Sequence, residues 1–141
     1  MKFNYLILVV IPLFLLSCKN EKSIEVKEPF QMYETSELAT LMEEFYVYND
    51  SLKSQILNDV DLMSLPSDFD KIHTAQMTDR FERDESFQLF ADLFEKHQKE
   101  IYKVSKDSLK GAFNKTIQTC VSCHKTTCTG PIPRIQKLLI K

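Results

Sequence analysis

From residue 36 onward, apolar positions recur at helical rather than strand-like spacing. Leu38, Leu41, Met42, Phe45, Tyr48, Leu52 and Ile56 fall three or four apart, the stripe that one face of an α-helix presents to a core. Thr35 and Ser36 precede the stripe as candidate N-caps, with acidic Glu37 in the first turn. A weaker stretch follows, in which Pro66-Ser67 opens a segment containing Phe69, Ile72, His73 and Ala75; it predicts a shorter second helix from Ser67 to Gln76. The third helix runs from about Asp84 to Ser105, with Phe87, Phe90, Phe94, His97, Ile101 and Val104 on one face. The fourth starts at Asp107, a candidate N-cap, passes through Leu109, Phe113, Ile117 and Cys120, and reaches His124. Gly130-Pro131 and Pro133 stop it. Beyond them Ile135, Leu138, Leu139 and Ile140 predict a short terminal helix that packs back.

The simplest packing of four such helices is an antiparallel up-down-up-down bundle. Two glycines and ten phenylalanines fit a bulky helical interior better than a turn-rich β fold. In that bundle the start of the first helix and the end of the last share one end. At ~1.5 Å per residue, Met42 stands roughly 9 Å above it and His124 a similar distance away. Phe87 and Phe90, early in the third helix, fall near the same end. His97 lies ~20 Å up its helix and is expected to be a partly buried or surface histidine.

The N-terminal segment is different in kind. Lys2 is followed by an apolar run from Tyr5 to Leu16, broken only by Pro12, and then by Leu15-Leu16-Ser17-Cys18 before the charged Lys19-Asn20-Glu21-Lys22. A helix needs ~20 apolar residues to span a bilayer, so this shorter run reads as a secretory signal. Leu-Leu-Ser-Cys resembles the lipobox of bacterial lipoproteins, which implies cleavage before Cys18 and lipid on its sulfur. Two or more acyl chains anchor a protein stably to a membrane surface. The organisation expected is a signal peptide over 1–17, a lipidated tether over 18–35 and a folded domain over 36–141. Loss of Lys2 with the signal takes the formal charge from −2 to −3. A mildly acidic domain gives no footing for nucleic acid.

The chemistry concentrates in Cys120-Val121-Ser122-Cys123-His124, the C-x-x-C-H pattern of c-type haem attachment. Two thiols three apart reach the two vinyl groups on one edge of a porphyrin, and the adjacent imidazole is held under the iron. On a helix these residues stand at i, i+3 and i+4, so all three groups share a face. Two other readings use the same residues. A structural disulfide between Cys128 and Cys120 or Cys123 leaves His124 without a role. A zinc site of Cys120, Cys123, His124 and Cys128 asks two neighbouring residues of one helix to fill two tetrahedral corners. As sixth ligand, Met42 competes with His73 and Met77 and with an open or water-filled position; a methionine on an apolar stripe is also an ordinary core residue. No catalytic triad, paired-carboxylate site or phosphate-binding glycine loop is present in the sequence.

With C-x-x-C-H close to the C-terminus of a predicted four-helix chain, residues 36–128 resemble the class II cytochromes c, which include the cytochromes c prime and their low-spin relatives. The resemblance implies one covalent haem c held by Cys120 and Cys123, His124 as proximal iron ligand, and Met42, within Thr40-Leu41-Met42, at the position where low-spin members carry the distal ligand. It departs at Cys128, where the family commonly has an arginine, and in the longer extension Gly130-Pro131-Ile132-Pro133-Arg134. The function implied is electron transfer rather than enzymatic catalysis, by a lipid-anchored protein of the bacterial cell envelope that faces the periplasm or exterior and meets redox partner proteins there. The alternatives are a five-coordinate haem protein that binds gases such as NO or CO, as cytochromes c prime do, and a zinc or thiol binding module without haem.

Overall fold

The computed structural model describes residues 34–141. The apolar run, Cys18 and most of the predicted tether lie outside the described residues. The described chain is all-α: helices α1 (Glu37–Leu57), α2 (Glu85–Glu100), α3 (Lys106–Thr126) and the short α4 (Ile132–Ile135) form, with no strand among the described residues. Three 3-10 segments accompany them, at Ser67–His73, Ile101–Lys103 and Gln136–Leu138. Among the described residues no helix is long and apolar enough to cross a membrane.

α1 and α2 start where local chemistry asks them to. The Ser36 hydroxyl accepts from the Ala39 N–H at 3.2 Å, and the Asp84 carboxylate accepts from the Phe87 N–H at 2.7 Å. Both caps satisfy an N–H that has no partner within its own helix. The expected cap at Asp107 is not used; α3 begins at Lys106, with the cap position moved two residues back to Ser105, whose side chain makes no capping bond. At its far end α1 stops at Asn58, followed by Asp59 in the left-handed conformation with φ 53°. Asp is one of the few residues that tolerates this region.

The second helix expected from Ser67 to Gln76 is a 3-10 helix that ends at His73. The reason lies in its apolar spacing. Phe69, Ile72 and Ala75 are all buried and sit three apart, a repeat that matches three residues per turn rather than 3.6. The segment is strapped to the end of the molecule where α1 begins. Leu38 N–H donates to the Gln76 carbonyl at 2.9 Å, and Gln76 N–H donates back to the Glu37 carboxylate at 2.9 Å. Arg83 holds the same turn by donating to the Ala75 carbonyl at 2.7 Å.

Contacts along the helices give their directions. Glu100 meets Lys115 at 3.2 Å and His97 meets Thr119 at 2.8 Å, so α2 and α3 run antiparallel. Phe45 stacks on Phe94, ring centroids 4.8 Å apart, and Tyr48 bonds Tyr102, so α1 runs parallel to α2. The chain therefore returns between α1 and α2 through residues 58–84. The core lies between the three helices, with Leu52, Ile101, Phe113 and Ile117 fully buried and Phe69 wedged against Phe45 at 4.3 Å. The tail packs back as the sequence predicts: Ile135, Leu138 and Ile140 are buried, and the Asn114 amide brackets Ile140 by bonds to its N–H and carbonyl.

Candidate functional site

Cys120, Cys123 and His124 occupy the last two turns of α3 and share a face, as their spacing requires. That face looks onto two small apolar cavities. One, about 30 Å³, lies between α1, α2 and α3, and its walls include Met42, Phe87, Phe90, Cys120, Cys123 and His124. The other, about 80 Å³, lies between α1, α3 and the tail, where Tyr46, Asn49, Arg134 and Leu138 join the wall. Met42, Phe45, Cys120 and His124 border both, so the two are halves of one slot divided by side chains. A larger cleft, about 610 Å³, is elsewhere, an open groove at Lys53, Leu57, Lys137 and Lys141 with none of the motif residues in its wall.

The imidazole of His124 is oriented. Its Nδ1 lies 2.8 Å from the backbone carbonyl of Cys128. A carbonyl only accepts, so the proton of the neutral ring sits on Nδ1 and the lone pair is on Nε2. A carbonyl that accepts from one ring nitrogen is the arrangement that prepares the other to ligate a metal. The chain makes this bond possible because α3 ends at Thr126 and bends at Thr127, bringing the following carbonyl back toward the ring.

Burial pushes the Cys120 thiol up to about 12, with Cys123 beside it adding to the effect. Burial also raises the Cys123 thiol, helped by the carboxylate of Asp84. Both sulfurs are thus held as neutral thiols rather than as reactive thiolates. Cys120, Cys123 and Cys128 are all free, so the disulfide between Cys128 and either motif cysteine is not formed. Among the described residues no group of three or more His, Cys, Asp or Glu side chains gathers in a metal-binding arrangement of its own.

The other sequence candidates stand apart from the slot. His73 pairs with Glu95 at 3.2 Å on the outer side of α2, and Met77 packs against the core without reaching either cavity. His97 bonds the Thr119 hydroxyl at 2.8 Å and borders neither cavity. Three wall residues escape a reading of the motif alone. Asn49 interrupts the apolar stripe one turn beyond Phe45, and its burial at 2 % exposure marks it as more than surface. Tyr46 and Arg134 meet only because the tail folds back, with the guanidinium 3.9 Å from the ring centroid.

The chain matches no protein-family profile, no curated protein and no solved structure.

Proposed function

We propose that this protein is a membrane-tethered monohaem c-type cytochrome that carries electrons, with Cys120 and Cys123 forming the thioethers, His124 as proximal ligand and Met42 as distal ligand. The observation that carries the reading is the tautomer of His124: with Nδ1–H given to the Cys128 carbonyl, Nε2 is left as a free donor on the face that also bears both thiols. The donor set fits the group. Two neutral thiols are the form that adds across vinyl groups, and the thioether of Met42 borders the same slot from α1. The walls are apolar and aromatic, as a flat hydrophobic ring requires. The cavities are smaller than a porphyrin, so a bound ring would require the side chains that divide the slot, Met42 and Phe45 among them, to move aside.

Bound there, haem supplies one-electron chemistry at its iron. His124 and Met42 would hold the iron, which would leave no substrate site open, and Phe87, Phe90 and Phe94 would keep water from the ring. The Cys128 carbonyl keeps the imidazole turned and raises its basicity. We read the return segment 58–84 as the second leg of an antiparallel four-helix bundle in which α1, α2 and α3 are the other legs. The lipid on Cys18 would confine the search for redox partner proteins to a membrane surface of the bacterial cell envelope.

A second reading is favoured by one atom. The Oδ1 of Asn49 is buried without a hydrogen-bond partner, while its Nδ2 donates to the Phe45 carbonyl at 2.8 Å. Asn49 borders the larger half of the slot, where a water donating to Oδ1 would satisfy it. That arrangement suits an iron whose sixth position is open to water or to NO or CO.

One experiment separates the readings. The chain is matured with a c-type haem assembly system, and its visible spectrum is recorded oxidised and reduced beside Met42→Ala and the double variant Cys120→Ala/Cys123→Ala. Covalent haem in the wild type, absent from the double variant, together with a low-spin spectrum that Met42→Ala turns high-spin, is the expected result. A high-spin wild type that binds CO without change in Met42→Ala supports the open-site reading. A wild type without covalent haem overturns both.

A further inference from the structure

Arg134 sits on the short helix α4, in the extension beyond the motif helix. Its guanidinium donates to both carboxylate oxygens of Glu43, at 2.6 and 2.7 Å, and lies over the ring of Tyr46. Both bonds come from the single nitrogen Nη1, which leaves Nη2 and Nε without a carboxylate partner. The pair is exposed on its outer side, where such a bridge adds little stability by itself. Its position is more informative. Arg134 borders the larger half of the slot together with Met42, Cys120 and His124, and among the described residues it is the only lysine or arginine that borders either half. The other charged or titratable walls there are Glu43 and Tyr46 from α1 and Cys120 and His124 from α3.

Haem carries two propionate carboxylates at the periphery of the ring, remote from the two vinyl groups. A ring inserted in this slot brings those negative charges into a wall that offers one permanent cation. Glu43 is a neighbouring anion and repels them unless the guanidinium stands between. Arg134 has five N–H donors, two of which are used on Glu43, so it can bridge two carboxylates at once. We propose that Arg134 is the residue that receives a haem propionate, with Glu43 and Tyr46 holding its guanidinium in place at the mouth of the slot. The inference rests on the haem reading above. It assigns the tail a role in the site: the extension past Pro131 delivers the cation that the motif helix lacks.

A cation beside the ring disfavours the additional positive charge of oxidised iron and so raises the reduction potential. The test compares the haem-loaded full-length chain with Arg134→Gln, Arg134→Lys and Glu43→Gln, after mass measurement establishes that each carries covalent haem. A wild type without haem fails the haem reading itself and is seen at that first step. With haem present, Arg134→Gln is expected to shift the redox equilibrium about tenfold toward the oxidised form, a midpoint lower by about 59 mV for one electron. Arg134→Lys, which keeps the charge, should lose less than half of that. Glu43→Gln removes an anion and keeps the guanidinium, so its midpoint should stay level or rise. If Arg134 is only a clamp for the tail, Glu43→Gln breaks the same clamp and both midpoints move in the same direction. That outcome, or an unchanged midpoint in Arg134→Gln, overturns the proposal.

Discussion

The Nδ1 of His124 lies 2.8 Å from the carbonyl oxygen of Cys128, so the residue four positions on orients the imidazole through its backbone rather than its thiol. That relationship changes what Cys128 is expected to do. A leftover cysteine so close to a haem motif invites a role for sulfur, but the group in contact with the ring is one that any residue supplies.

On the haem reading proposed above, Cys128→Ser should therefore leave the spectrum and midpoint potential of the matured protein as they are. The carbonyl survives the substitution and the ring keeps its tautomer. Visible absorption of the reduced and oxidised variant beside wild type checks this. A shift in the bands would mean that the thiol, not the carbonyl, is the operative group.

The motif thiols make a different forecast in the haem-free chain. With Cys120 pushed up to about 12 and Cys123 raised as well, chiefly by burial, little thiolate is present at neutral pH. Thiol reagents attack the thiolate, so Cys120 should be alkylated at least about a hundredfold more slowly in the folded chain than in denaturant. Peptide mapping after timed maleimide labelling reads each cysteine separately. Rapid labelling of folded Cys120 would favour the zinc or thiol reading, which needs an accessible thiolate.

Much of this arrangement is legible in the sequence, and the exceptions have identifiable causes. Periodicity finds α1, α2 and α3, because each buries a regular stripe and begins at a side chain able to cap it, Ser36 and Asp84 most clearly. The conjunction of Met42, Phe87, Phe90 and the motif residues around one slot follows from helix direction alone. The segment at Ser67–His73 is harder, since three apolar residues at a spacing of three suit a 3-10 turn and a short α-helix almost equally. The Arg134–Glu43 contact joins residues far apart in the chain, and no local pattern encodes how the tail returns. Cys18 lies outside the described residues, so the lipid reading stands on the sequence alone.

Gln98 offers a test of the core. It is 1 % exposed on α2, and neither its amide nitrogen nor its oxygen has a hydrogen-bond partner. An unpaired buried amide costs about 1–3 kcal/mol, whereas methionine fills a similar volume without polar atoms. Gln98→Met should stabilise the protein by about 1 kcal/mol and raise Tm by about 4 °C. Calorimetry of the two proteins at neutral pH is sufficient. A lower Tm would indicate that the amide is satisfied by a buried water worth keeping.

His97 gives the protein a pH dependence whose sign can be worked out. Its Nδ1 lies 2.8 Å from the Thr119 hydroxyl, and that hydroxyl donates to the Lys115 carbonyl at 3.0 Å, so the hydroxyl oxygen accepts from an Nδ1–H. Burial, followed by the positive charge of Lys115, holds His97 below the ordinary histidine value; Lys96 acts in the same direction and Glu100 partly offsets them. The folded chain thus resists a proton that the unfolded chain takes up near pH 6.5. Between these two values the unfolded state binds more protons, so stability falls as pH falls. The contribution is complete above about pH 6.5 and is lost as pH drops toward the folded value. The carboxylates held below their usual range, Asp68, Glu95 and Glu100, exert their own loss only at lower pH, below about 4.5. Thermal unfolding from pH 7.5 to 5 should therefore show a declining Tm in the wild type, and a flatter profile in His97→Gln, which keeps a hydrogen-bonding side chain but cannot titrate. Equal slopes in the two proteins would place the pH sensitivity elsewhere and leave His97 as a packed but electrostatically silent residue.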